Sequence, residues 1–143
     1  MQMTSKILAF LFILLGESPV FVPVSEQHVT TIHFEKGDFK ISNVNKDKLD
    51  EIVKKSVPDS ITYLKIFGYS DTAGSAKYNE DLSRKRAYEV YHYLARRIKI
   101  DSSKIYITWL GEKAEGYDLH FPDAHIQQRC VDVIASFGKR VKN

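Results

Sequence analysis

A chain of 143 residues has room for one modest domain and not for two, and its 43% hydrophobic and 27% charged content is that of an ordinary globular protein. With 21 Lys and Arg against 18 Asp and Glu, the formal charge of +3 is too small to argue for nucleic acid, where a dense basic stripe with stacking aromatics is expected. The single cysteine, Cys130, excludes an intramolecular disulfide and any thiolate metal cluster.

Residues 1–25 read as lying outside the fold. Lys6 supplies a positive start, and Ile7 to Leu15 form an unbroken apolar run that Gly16, Glu17 and Pro19 interrupt. The run falls short of the ~20 residues that span a bilayer and fits the apolar region of an export signal. Apolarity resumes at Val20 to Val24, so an N-terminal membrane anchor is the other reading, at the cost of burying Glu17. The expected division is a signal peptide or membrane anchor over 1–25, one folded domain over 26–137 and a basic tail over 138–143.

Residues 28–34 alternate and are β-branched, which predicts the first strand. A loop containing Gly37 follows. Asn45 is the expected N-cap of a helix over 46–56 with Leu49, Ile52 and Val53 on its buried stripe, and Pro58 enforces the stop. Ile61 to Phe67 is the expected second strand, carrying only Lys65 as a charge. A polar loop, Ser70 to Gly74, then feeds a long helix that starts between Ala76 and Asn79 and ends near Arg97. Residues 104–110 and 131–136 predict the third and fourth strands, separated by a long polar insert. Strand–helix–strand–helix–strand alternation points to an α/β chain with parallel pairing through right-handed crossovers.

The long helix is the most informative stretch. With Leu82 at zero on a helical wheel, Ala87, Val90, Tyr91, Leu94 and Ile98 fall between about 80° and 180°, and Arg86 falls at about 40°. An arginine inside the apolar arc needs a partner, because an unpaired buried cation costs several kcal/mol. Asp71, in the loop that feeds the helix, is the obvious one. The two either pair with each other as a loop-to-helix staple or stand side by side in a cleft and grip a zwitterion, Asp71 taking an ammonium and Arg86 a carboxylate. The spacing alone leaves both open.

Other chemistries find less support. No nucleophile–base pair or carboxylate pair composes a hydrolase, and the Ser70–Gly74 loop lacks the ending of a phosphate-binding loop. His120 and His125 with Asp118 or Asp123 form a weak metal pattern, more often a sign of surface histidines. His33 and His92 read as partly buried. Tyr69, Tyr78, Tyr88, Tyr91 and Tyr93 suggest a carbohydrate platform, although Tyr91 lies on the core arc and Tyr88 faces solvent.

Gly68-Tyr69-Ser70-Asp71, Gly74, Asn79, Leu82-Ser83, Arg86-Ala87, Val90 and Leu94 stand in the order and spacing of a known signature. The stretch resembles the OmpA-like C-terminal domain, the peptidoglycan-binding module of Gram-negative envelope proteins, and the likeness extends over about residues 28–136. It implies an α/β, or α+β sandwich, βαβαββ domain with a mixed sheet and helices packed on one face. It further implies non-covalent binding of the diaminopimelate-containing stem peptide, with Asp71 and Arg86 on the two ends of that diamino diacid. Phe34, Thr72, Asn79, Leu82 and Arg129 complete the expected ligand-binding set. No cofactor, metal or catalysis is implied. The expected partners are peptidoglycan and other envelope proteins, without nucleic acid, and with the membrane only through the N-terminal segment. The expected location is the periplasm or cell envelope. With no cysteine near the N-terminus, a lipid anchor is not expected.

The chain departs from the pattern at four places. Lys36 replaces a common aromatic, Gly37 a frequent aspartate, and Cys130 the second arginine of the motif before the last strand, where Arg129 keeps the first. Residues 112–127 form the insert. These departures motivate the alternative of a degenerate domain acting as a protein–protein scaffold in an envelope or secretion assembly.

Overall fold

Four strands and two helices account for the computed structural model, which describes residues 26–57, 59–111 and 128–139. They are β1 (Glu26–His33), α1 (Asn43–Lys55), β2 (Asp59–Gly68), α2 (Ala76–Ala95), β3 (Ile105–Trp109) and β4 (Cys130–Lys139), with a 3-10 turn at Ser102–Lys104. The leader (1–25), the insert (112–127) with its histidines, and the end of the basic tail (140–143) lie outside the described residues.

The sheet is mixed, in the order β1-β4-β2-β3. β2 and β3 pair in parallel, while β4 runs antiparallel to both β1 and β2. The expected parallel pairing of β1 with β2 is therefore corrected: β4 is inserted between them. In β4, Val131, Val133, Ala135 and Phe137 alternate onto one buried face, and the strand is backbone-paired along both edges, with β1 and with β2. β4 also extends through Gly138 and Lys139, which pair with Ser60 and Asp59, so the basic tail begins later than expected.

Both helices pack on one face, with Ile32, Leu49, Ile52, Leu64, Ile66, Val90, Leu94, Val131 and Val133 at the centre of the core. The first helix starts three residues earlier than expected because Ser42, not Asn45, caps it. Asn45 is buried instead and donates through Nδ2 to the His33 carbonyl at 2.6 Å, which ties the helix to the end of β1. His33 and His92 are exposed rather than partly buried. No helix among the described residues is long and apolar enough to cross a membrane.

Along α2 the buried residues are Asn79, Leu82, Ser83, Arg86, Ala87, Val90 and Leu94, a single face at helical spacing. Ser75 caps its start by accepting from the Tyr78 N–H at 3.2 Å. Replacing Ser75 with alanine is expected to cost about 1 kcal/mol, read as a lowered urea midpoint with an unchanged slope. That face meets the end of β2 at Gly68, where an added Cβ would lie 2.2 Å from the Ser83 carbonyl oxygen. Only glycine lets helix and strand approach this closely.

Candidate functional site

The C-terminal ends of β1, β2 and β3 and the start of β4 lie at the same end of the sheet. Four backbone hydrogen bonds lace them together: Phe34 N to Arg129 O, Tyr69 N to Cys130 O, Ser70 N to Gly111 O and Leu110 N to Gly68 O, all between 2.8 and 3.0 Å. The polar loop after β2 is thereby fixed beside the first turns of α2. Crevices outside the carboxyl ends of sheet strands are a common place for ligands.

Arg86 is fully buried there, and its partners differ from the expected one. Nε donates to the Asp38 carbonyl at 2.8 Å, Nη1 to the Tyr69 carbonyl at 3.0 Å and Nη2 to the Glu35 carbonyl at 3.1 Å. Three of the five guanidinium N–H donors therefore organise backbone. They join the loop after β1 to the exit of β2. The Phe34 ring, itself buried, stands 5.2 Å from the guanidinium carbon and covers it. Gly37 makes this arrangement possible: at φ +70° it turns the chain so that Glu35 and Asp38 both aim carbonyls at Arg86. The carboxylates of those two residues do not take part. Glu35 is exposed, and the Asp38 carboxylate accepts from the Phe39 and Lys40 N–H groups at 2.7 and 3.0 Å.

Asp71 is also buried, with 6% of its surface exposed. Its Oδ1 accepts from Ala73 N at 3.3 Å, and its Oδ2 lies 3.7 Å from Arg129 Nη1. The salt-bridge partner of Asp71 is thus Arg129, from the start of β4, and the direct Asp71–Arg86 staple is not how the site is built. The three charges still sense one another. Burial pushes the Arg86 guanidinium below its usual pKa; Asp71 opposes that shift and Arg129 adds to it. An arginine remains protonated throughout the physiological range.

The structure brings Asp71, Arg86, Arg129 and Phe34 together. Thr72 is exposed on the loop. Asn79 is buried in the first turn of α2, beside Gly74 at the end of the loop. Leu82 is buried one turn before Arg86. Ser83, part of the signature but not of the expected ligand-binding set, accepts from Gly111 N at 3.1 Å and so fastens the end of β3 to the helix. The carbonyls of Glu35, Asp38 and Tyr69 had no signal in the sequence, because backbone acceptors carry no residue identity. Cys130 is fully buried. Tyr91 is half-buried against the core and Tyr88 is 38% exposed, as the helical wheel indicates.

Three comparisons bear on this geometry. The model of the OmpA family matches residues 33–129, which include every residue of the site. Outer membrane protein 41 of Porphyromonas gingivalis is 28% identical over 104 residues, 71% of this chain, and the chain spans only 27% of that protein's length. Among solved structures, the cell wall anchor of the T6SS from Pseudomonas aeruginosa superposes with a TM-score of 0.64 at 18% identity, covering 94% of this chain and 96% of that one. The peptidoglycan-associated lipoprotein from Burkholderia pseudomallei gives a TM-score of 0.59 at 19% identity, covering 76% and 89%. At these identities the structural likeness concerns the fold.

Proposed function

Because the chain belongs to the OmpA family, we propose that it binds the diaminopimelate-containing stem peptide of peptidoglycan non-covalently and so anchors an envelope protein or complex to the cell wall. The observation that carries this reading is that a fully buried Arg86 and a buried Asp71, not paired with each other, lie at the same end of the sheet, inside the segment that the family shares. The Asp71 carboxylate takes the ammonium of the diamino acid, and the two Arg86 donors beyond those given to carbonyls take its carboxylate. Charge-assisted contacts of this kind are worth about 1.5–3 kcal/mol each. Phe34 roofs the guanidinium and excludes water from it. Asn79, Leu82 and Thr72 shape the loop and helix that hold Asp71. The work is recognition without chemistry, carried out in the periplasm or at the cell-wall face of the outer membrane. A peptidoglycan-associated lipoprotein and a cell wall anchor share this fold, which supports the reading.

The test is a pull-down of the protein on insoluble peptidoglycan sacculi, wild type beside Asp71→Ala. Wild type is expected in the pellet and the variant in the supernatant, a loss of about tenfold or more in affinity, with circular dichroism unchanged. Equal retention of the two forms would remove Asp71 from the ligand site. No retention of either would leave the fold without the ligand.

A further inference from the structure

Arg86 and Arg129 outnumber the one acid buried with them among the described residues, Asp71. Arg129 is poised rather than committed. Its Nη1 stands 3.7 Å from Asp71 Oδ2, beyond the 2.7–2.9 Å of a charge-assisted hydrogen bond. Its Nε is buried with no hydrogen-bond partner among the described residues, while 16% of the side chain reaches the surface. Arg86 gives three of its donors to backbone carbonyls and cannot swing toward another group.

Now let a ligand ammonium reach Asp71. Arg129 then loses its counter-ion and faces a like charge in a partly desolvated cleft, which is unfavourable. A ligand that carries only a zwitterionic head cannot relieve this, because its single carboxylate is taken by Arg86. A ligand with one more carboxylate beside the head group can. We propose that Arg129 is a specificity-determining residue that makes the cleft select stem peptides with a free second carboxylate over those in which that carboxylate is amidated. This rests on the peptidoglycan reading and adds to it a preference set by charge. The second carboxylate meets the unpartnered Nε and the released Nη1 of Arg129; a carboxamide brings no negative charge.

The probes are two synthetic stem tripeptides ending in meso-diaminopimelate. Both keep the ammonium and carboxylate of the free head group intact; one has its other carboxylates free and the other has them as carboxamides. Calorimetry on the wild-type protein is expected to show the free acid bound about 10- to 100-fold more tightly. Arg129→Gln is expected to bind the two within about twofold, and Arg129→Lys, which keeps the charge, to retain a preference. A purely structural role for Arg129 would weaken both peptides alike and leave their ratio unchanged. Wild type binding both peptides equally, or Arg129→Gln keeping the full ratio, overturns the inference while leaving the peptidoglycan reading intact. Failure of wild type to bind either peptide overturns both.

Discussion

Arg86→Ala is expected to destabilise the protein by about 3–5 kcal/mol, the range for removing one partner of a buried, hydrogen-bonded charge. The guanidinium satisfies the carbonyls of Glu35, Asp38 and Tyr69 at once. Removing it leaves these acceptors to find water in a site roofed by Phe34, at about 1–3 kcal/mol for each that fails. Domains of this size have only about 5–15 kcal/mol of stability in total, so the loss shows as a large fall in the urea midpoint. Arg86→Lys is expected to recover part of the loss, since one ammonium cannot span three carbonyls. Arg86→Ala is therefore a poor probe of ligand binding by itself; Asp71→Ala removes the counter-ion of Arg129 and the acceptor of one backbone N–H, a smaller loss than three carbonyls, and is read beside its own urea midpoint. A variant that lost sacculus retention with its urea midpoint unmoved would mean that Arg86 serves the ligand alone.

Gly68→Ala is expected to cost about 3 kcal/mol, the upper part of the usual range for overpacking, and to lower the thermal midpoint by about 10 °C. The new Cβ would sit 2.2 Å from the Ser83 carbonyl oxygen and 3.1 Å from the Ala87 Cβ. The first of these is backbone in the middle of α2 and cannot step aside as a side-chain tip would. Helix and strand must separate instead. Gly68 lies three residues before Asp71, and Ser83 three before Arg86, so the shift also opens the space between the two proposed ligand contacts. Peptidoglycan retention is expected to fall together with stability. A Gly68→Ala protein with wild-type melting would show that α2 is free to slide along the sheet.

The buried face of α2 was legible because helical periodicity is a property of the chain alone: Leu82, Ala87, Val90 and Leu94 fall on one arc and are buried together. The position of Arg86 on that arc announced a buried cation for the same reason. The strands were legible from β-branched alternation, with ends off by one to three residues where a cap or a pairing partner, not local propensity, sets the limit. Ser42 in place of Asn45 and the added length of β4 are of this kind.

What answers the buried cation was not legible. Local sequence offered Asp71 as the partner of Arg86, since the two are fifteen positions apart and joined by one loop and helix. Tertiary structure gave Arg86 three backbone carbonyls and gave Asp71 to Arg129, fifty-eight positions away, because inserting β4 between β1 and β2 carries Arg129 to the same end of the sheet. The sequence by itself determined that the apolar arc of α2 buries an arginine beside a loop that carries an aspartate. Only the tertiary structure decided what each of the two meets, because a carbonyl has no residue-specific signature and strand order depends on contacts distant in the chain.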